Sequence, residues 1–154
     1  TDEARKAAAE DIKNIINNHD FKEGETLNIV AHSHGGNAAF LASNMDIKHK
    51  IDNLVTLGTP IRDDYKKNDT MIGKHINVYS EHDQVQQLGG QIKQMPGPMG
   101  SSFNQFIPGG RIASNATNVN ATALTPNASM DSHTKLWSNS KIWHQLVRPL
   151  LLKK

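Results

Sequence analysis

The residues best suited to chemistry lie in one short stretch, Ala31-His32-Ser33-His34-Gly35-Gly36. A serine flanked two places on either side by small residues fits a sharp turn from strand to helix. Ala31 and Gly35 are those small residues, and larger side chains would collide across the turn. Such a turn strains the serine backbone and lifts its hydroxyl over the end of the sheet. The helix that follows aims its N-terminus at the same point, where it stabilises developing negative charge. The chemistry this implies is attack by the Ser33 hydroxyl on an acyl carbonyl.

A serine nucleophile needs a base, and the base needs an orienting carboxylate. On a strand–turn–helix scaffold of this kind the chain order is serine, acid, histidine. The acid should follow a later strand, and Ser80-Glu81-His82-Asp83 directly follows the strand expected at His75–Tyr79. Asp83 is the first choice there and Glu81 the second, with Asp63 and Asp64 as alternatives after an earlier strand. The base should lie further on, in a loop ahead of the last helix, where His133 is found. His144 falls within that helix beside Trp143 and reads as a surface or packing residue. His32, His34, His82 and Asp83 would make a nitrogen–oxygen metal set only if their side chains converged. The turn points them in different directions, so no metal or cofactor is expected. His34 is expected to line the site.

These residues need strands and helices to hold them. Thr1-Asp2-Glu3 followed by apolar residues at Ala4, Ala8, Ile12, Ile15 and Ile16 predicts a capped amphipathic helix ending near Asn18 or His19. Leu27–Ala31 predicts a buried strand, Gly35–Ala42 a helix beginning on small residues, and Ile51–Leu57 a second strand stopped by Gly58-Thr59-Pro60. His75–Tyr79 is the third strand. Strands separated by helices or long crossovers indicate an α/β fold with a short, mostly parallel sheet. Residues 88–131 are rich in Gly, Pro and Asn and are expected to form loop or lid. Met95, Met99, Phe103, Phe106 and Ile107 there would cover a greasy substrate or bury one another. Ser140 to about Leu152 is the closing helix, with Pro149 limiting its last turn.

Composition bounds the function classes. The 154 residues suit one domain, 1–154, and carry 17 basic against 15 acidic side chains. The basic residues are not clustered, so nucleic acid is not an expected partner. Without cysteine, disulfides and thiol catalysis are excluded. No apolar run reaches the length of a membrane span, and no signal peptide is visible.

Together these blocks resemble the C-terminal two-thirds of an α/β-hydrolase of the lipase and esterase type. Ile29–Gly36 is similar to the nucleophile elbow, in the variant with Ala at its first position. Leu54–Pro60 is similar to the strand and Gly-Thr-Pro turn that follows, and Val78–Val85 to the strand carrying the acid. Ser132-His133-Thr134, leading to the Trp143 helix, more weakly resembles the catalytic histidine region. The resemblance covers about residues 3 to 152. It implies a truncated or minimal three-layer sandwich, with Ser33 as nucleophile, Asp83 as acid and His133 as base. His34 and Gly35 become oxyanion or substrate-lining positions, and the substrate a lipid ester or another small ester with an apolar acyl group.

The sequence departs from that family's pattern in beginning at the helix before the elbow, so the upstream strands are not expected within it, and it offers no candidate for the second oxyanion donor. This leaves a rival expectation. The chain would be an incomplete or inactive hydrolase-like domain, or a binding module, completed by a segment or partner chain upstream of residue 1. It would then form the C-terminal part of a larger bacterial surface or effector protein.

Overall fold

The computed structural model describes residues 1–153. Helix α1, Asp2–Asn18, starts where Thr1 Oγ1 accepts the Ala4 N–H at 3.2 Å, with Asp2 and Glu3 favourably placed in its first turn. Strand β1, Asn28–His32, runs into α2, His34–Ala42. Strands β2, Ile51–Leu57, and β3, Ile72–Tyr79, follow. A short helix α3, Gln84–Leu88, leads to an antiparallel hairpin of β4, Gln91–Pro96, and β5, Ser102–Ile107. Strand β6, Thr117–Asn120, precedes α4, Ser129–Ser138. A π-helical stretch, Ile142–Val147, continues into α5, Arg148–Leu152.

The main sheet has the order β1-β2-β3-β6, and every pair in it is parallel. Both faces are covered. On one, Leu54, Ile51 and Ile72 meet Ile16, Ala39 and Phe40 of α1 and α2. On the other, Val55, Leu57, Ile76 and Val78 meet Leu136, Ile142 and Val147 from the C-terminal helices. Each fully buried aliphatic side chain contributes roughly 1.5–3 kcal/mol, so these two clusters hold the layers together. The small residues of α2 let it lie close against both α1 and the sheet.

Three expectations change. Residues 88–131, expected as loop or lid, contain the β4–β5 hairpin and β6. The fourth parallel strand is legible neither from periodicity nor from apolar content, because Val119 is its single apolar residue. His133 lies on α4 and not in a loop ahead of the last helix. That closing helix also does not wind regularly. Pro149 has no N–H to donate, and just before it the Arg148 N–H reaches five residues back to Trp143 O.

A row of polar groups, buried at Thr56 and Asn77 and half-buried at Asn118, crosses the sheet beneath α2. Thr56, Asn77 and Asn118 are in register on β2, β3 and β6. The Thr56 hydroxyl donates to Asn77 Oδ1 at 2.9 Å. Having only one hydrogen, it must therefore accept from His75 Nε2, also at 2.9 Å. Asn77 Nδ2 donates to Asn118 Oδ1 at 2.8 Å and to Arg111 O at 2.7 Å. Asn118 in turn accepts the Ala113 N–H at 2.9 Å and donates to Ala113 O at 3.0 Å. This row supplies the order that β6 lacks in apolar side chains.

Strand β1 is an edge of the sheet, and Val30 on it is 53% exposed. Apolar grooves open on both sides of that edge. One is lined in part by Ile15, Phe21 and Leu27, the other by Ile29, Val30, Val55, Trp143 and Leu151. Among the described residues no helix is long and apolar enough to cross a membrane.

Asn118→Ala tests the polar row. It leaves the Ala113 N–H without its acceptor and Asn77 without a partner on β6. A buried polar group left unpaired costs about 1–3 kcal/mol, so the urea midpoint should fall by that equivalent at an unchanged slope. An unchanged midpoint would remove the row from the account of β6.

Candidate active site

Ser33, Gly58 and Asp83 all lie just beyond the C-terminal ends of adjacent parallel strands, where open α/β sheets place their ligands. Ser33 has φ 55° and ψ −134°, a conformation that side-chain-bearing residues rarely adopt. Its backbone N–H donates to Leu57 O at 2.9 Å, which pins the turn to the end of β2. Its hydroxyl makes no capping bond to α2, and the first bond of that turn is Gly36 N–H to Ser33 O at 3.1 Å. The N–H groups of His34 and Gly35 therefore precede the helical ladder. Gly36 must be glycine because a Cβ there would collide with the Thr59 side chain.

Asp83 is wholly buried, and each of its oxygens is used. Oδ1 accepts the Gln86 N–H at 2.9 Å and so caps α3. Oδ2 lies 2.7 Å from His133 Nδ1. A carboxylate oxygen accepts, so Nδ1 carries the hydrogen and Nε2 of His133 keeps the lone pair a general base requires. Arg111 fixes the turn from above, donating to the carbonyls of Ser80, Glu81 and Asp83 at 2.9–3.1 Å. Ser80 ties this turn to α4. Its hydroxyl lies 2.7 Å from Thr125 Oγ1 and accepts from the Ser132 hydroxyl at 3.3 Å.

Gly58 joins the parts. A Cβ on it would lie 3.0 Å from Asp83 Oδ2, 3.2 Å from His133 Nδ1 and 2.9 Å from Leu136 Cδ1, and its φ of +60° disfavours any side chain. Gln86 reinforces the same turn, since its Nε2 donates to Thr59 O at 2.7 Å.

The other histidines diverge. The His32 ring lies 4.5 Å from that of His133, and His32 Nε2–H donates to His133 O at 3.1 Å. His34 turns the opposite way. Asn37 Nδ2 lies 3.1 Å from its Nδ1, and its Nε2 faces the backbone at Gly89. Burial, reinforced by the charges of Arg5 and Arg62, pushes the His34 imidazole down to about 4, so it is neutral near pH 7. Beside it a groove of about 320 Å³ opens between α1 and α2, lined partly by Ala4, Arg5, Ala8, Gly35 and Ala38.

The structure thus brings Asp83 and His133 into contact and sets Ser33 in a strained turn at the neighbouring strand end. Glu81 is turned elsewhere, accepting from Asn120 Nδ2 at 3.0 Å. Asp63 and Asp64 pair instead with Lys93 and Arg62. Sequence reasoning missed Arg111, Gln86 and Ser80. Only Gln86 left a local signal, because Asp83 followed three residues later by Gln is an N-capping pattern.

Two outcomes are expected here. Gly58→Ala should wedge the Asp83–His133 pair apart and slow any reaction of Ser33 far more than it changes far-UV circular dichroism; equal rates would show that the pair tolerates the wedge. The second outcome concerns pH. Burial also pushes His75 down to about 4. A histidine near 6.5 when unfolded and near 4 when folded binds its proton more readily in the unfolded chain. Its stabilising contribution is full above about pH 6.5 and is lost as pH falls through about 4. Urea midpoints should drop across that window, less steeply in His75→Gln, and a flat profile would contradict the assignment.

Set against known families, curated proteins and solved structures, the chain matches no family model, no curated protein and no solved structure.

Proposed function

We propose that this chain is a serine hydrolase that cleaves an ester of a lipid or of another apolar acyl group. One observation carries the proposal: a serine at φ 55° follows one strand, and a buried Asp–His pair of 2.7 Å lies beyond the next strands of the same sheet. The resemblance to the lipase and esterase type of α/β-hydrolase supports it, as does the parallel sheet between two helical layers. In this proposal the fold is a minimal version of that sandwich.

The reaction follows from the residues. His133 Nε2 takes the Ser33 hydroxyl proton as the oxygen attacks the acyl carbonyl. The Asp83 carboxylate stabilises the imidazolium that forms. The His34 N–H, at the start of α2, donates to the developing oxyanion, and one such donor is worth about 2.7–4 kcal/mol. His133 then passes its proton to the leaving alcohol, and water resolves the acyl-enzyme by the same steps in reverse. The groove lined by Ala4, Ala8 and Ala38 is the natural place for an apolar acyl chain.

The open edge of β1 favours a second reading. Its unpaired backbone and the apolar grooves beside it suit a further strand. On this reading a completing segment or partner chain adds that strand and brings the second oxyanion donor, and the chain alone is inactive or serves to bind.

A fluorophosphonate probe separates the two. The purified chain should label at Ser33, with Ser33→Ala unlabelled and Asp83→Asn or His133→Ala slower by about a thousandfold or more. A wild-type chain that does not label would favour the completed-sheet reading. Labelling that survives Ser33→Ala would sink the site assignment.

A further inference from the structure

The β4–β5 hairpin leaves most of its apolar side chains exposed, with Met95 and Ile107 half-buried. In β5 every residue from Ser102 to Phe106 is exposed. Met99 at the tip is fully exposed, and Ile92, Phe103 and Phe106 are 72%, 53% and 48% exposed. These groups do not share one face. Ile92 pairs with Phe106 on one side of the ribbon and Met95 with Phe103 on the other.

The tip is built to present Met99. Gly97 N–H donates to Ser101 O at 2.7 Å and Ser101 N–H to Pro98 O at 3.1 Å, so the backbone there is bonded within the turn. Met99 and Gly100, both at positive φ, turn the chain between those bonds. The base is anchored to the domain. Gly109 N–H donates to Gln87 O at 2.8 Å, Arg62 Nη1 to Gly90 O at 2.9 Å, and Lys93 pairs with Asp63 at 2.7 Å.

We infer that this hairpin docks the protein on a lipid surface, with Met99 and Phe103 entering the boundary between headgroups and acyl chains. Shape favours a fluid occupant. A protein partner with a flat surface would cover one face of the ribbon, whereas lipid closes around both faces and the tip. Charge does not oppose that occupant. From Leu88 to Met130 the chain contains no carboxylate, and its charged residues are Lys93 and Arg111. No carboxylate in that segment repels anionic headgroups; Lys93 is paired with Asp63 and Arg111 with backbone carbonyls, so apolar contact and not cationic attraction drives the docking. The outer backbone edges of a two-stranded ribbon are unpaired, so it enters only as deep as water reaches. Docking does not depend on Ser33; only its consequence, the delivery of a lipid ester to the site, rests on the ester-hydrolase proposal.

Sedimentation of the full chain with vesicles tests this, using phosphatidylcholine and phosphatidylserine in equal parts. The wild type should pellet with the vesicles. The double variant Met99→Asp/Phe103→Asp should bind about tenfold more weakly or worse, while Met99→Leu/Phe103→Leu binds like the wild type. Matching thermal melts of all three keep folding out of the comparison. A wild type that stays in the supernatant overturns the inference, as does an aspartate variant that pellets equally. A wild-type dimer that the aspartate variant dissolves would assign the hairpin to a second copy instead. Ser33→Ala should pellet like the wild type, so a failed labelling experiment leaves this result standing.

Discussion

Two oxygens of one buried carboxylate hold the strand ends in their arrangement. Asp83 Oδ2 meets His133 on α4, while Oδ1 caps α3, so the same side chain ties a C-terminal helix to the exit of β3. A buried carboxylate survives only when its lone pairs are used, and here the demand is met by groups from two different elements. Gly58 sits against both members of the pair, so the exit of β2 has to remain free of a side chain. The backbone bond from Ser33 to Leu57 then carries the constraint to β1. The position of the strained serine is therefore set by the same contacts that fix the acid and the base.

How much of this could be read from the sequence depended on whether the signal was local. The elbow was legible because its logic is steric and spans five residues, Ala31 to Gly35. Strands β1 and β2 were legible because apolar runs mark them, and β3 only in its second part, His75–Tyr79, since Gly73 and Lys74 interrupt its start. Strand β6 was not, since Thr117-Asn118-Val119-Asn120 gains its order from side chains on β3 and from the backbone at Ala113. The helix carrying His133 was hidden for a similar reason. Its turn is polar except at Met130, Leu136 and Trp137, and burial of Leu136 against the sheet secures it. Arg111 could not have been found by spacing, because its three acceptors are backbone carbonyls brought to it by the fold.

The polar row and the open edge show two ways in which this sheet departs from a simple apolar slab. Thr56, Asn77 and Asn118 carry hydrogen bonds through the layer that packs on α1 and α2, and each donor in the row has a defined direction. Beyond β1 nothing among the described residues continues the ladder. The sheet ends on β6 at one side and on β1, the strand that leads into Ser33, at the other.

The parallel sheet also sets the order in which this chain can assemble. No two of its strands can pair through a tight turn, and each ladder waits for a crossover to close. The shortest runs from Leu57 to Ile72, so β2 and β3 meet at the least entropic cost. The link from Tyr79 to Thr117 is far longer, and β6 joins late. Within that link the hairpin pairs residues close in sequence and can form on its own in microseconds. A two-stranded ribbon by itself is at best marginally stable in water, so it holds its shape only once the sheet anchors its base.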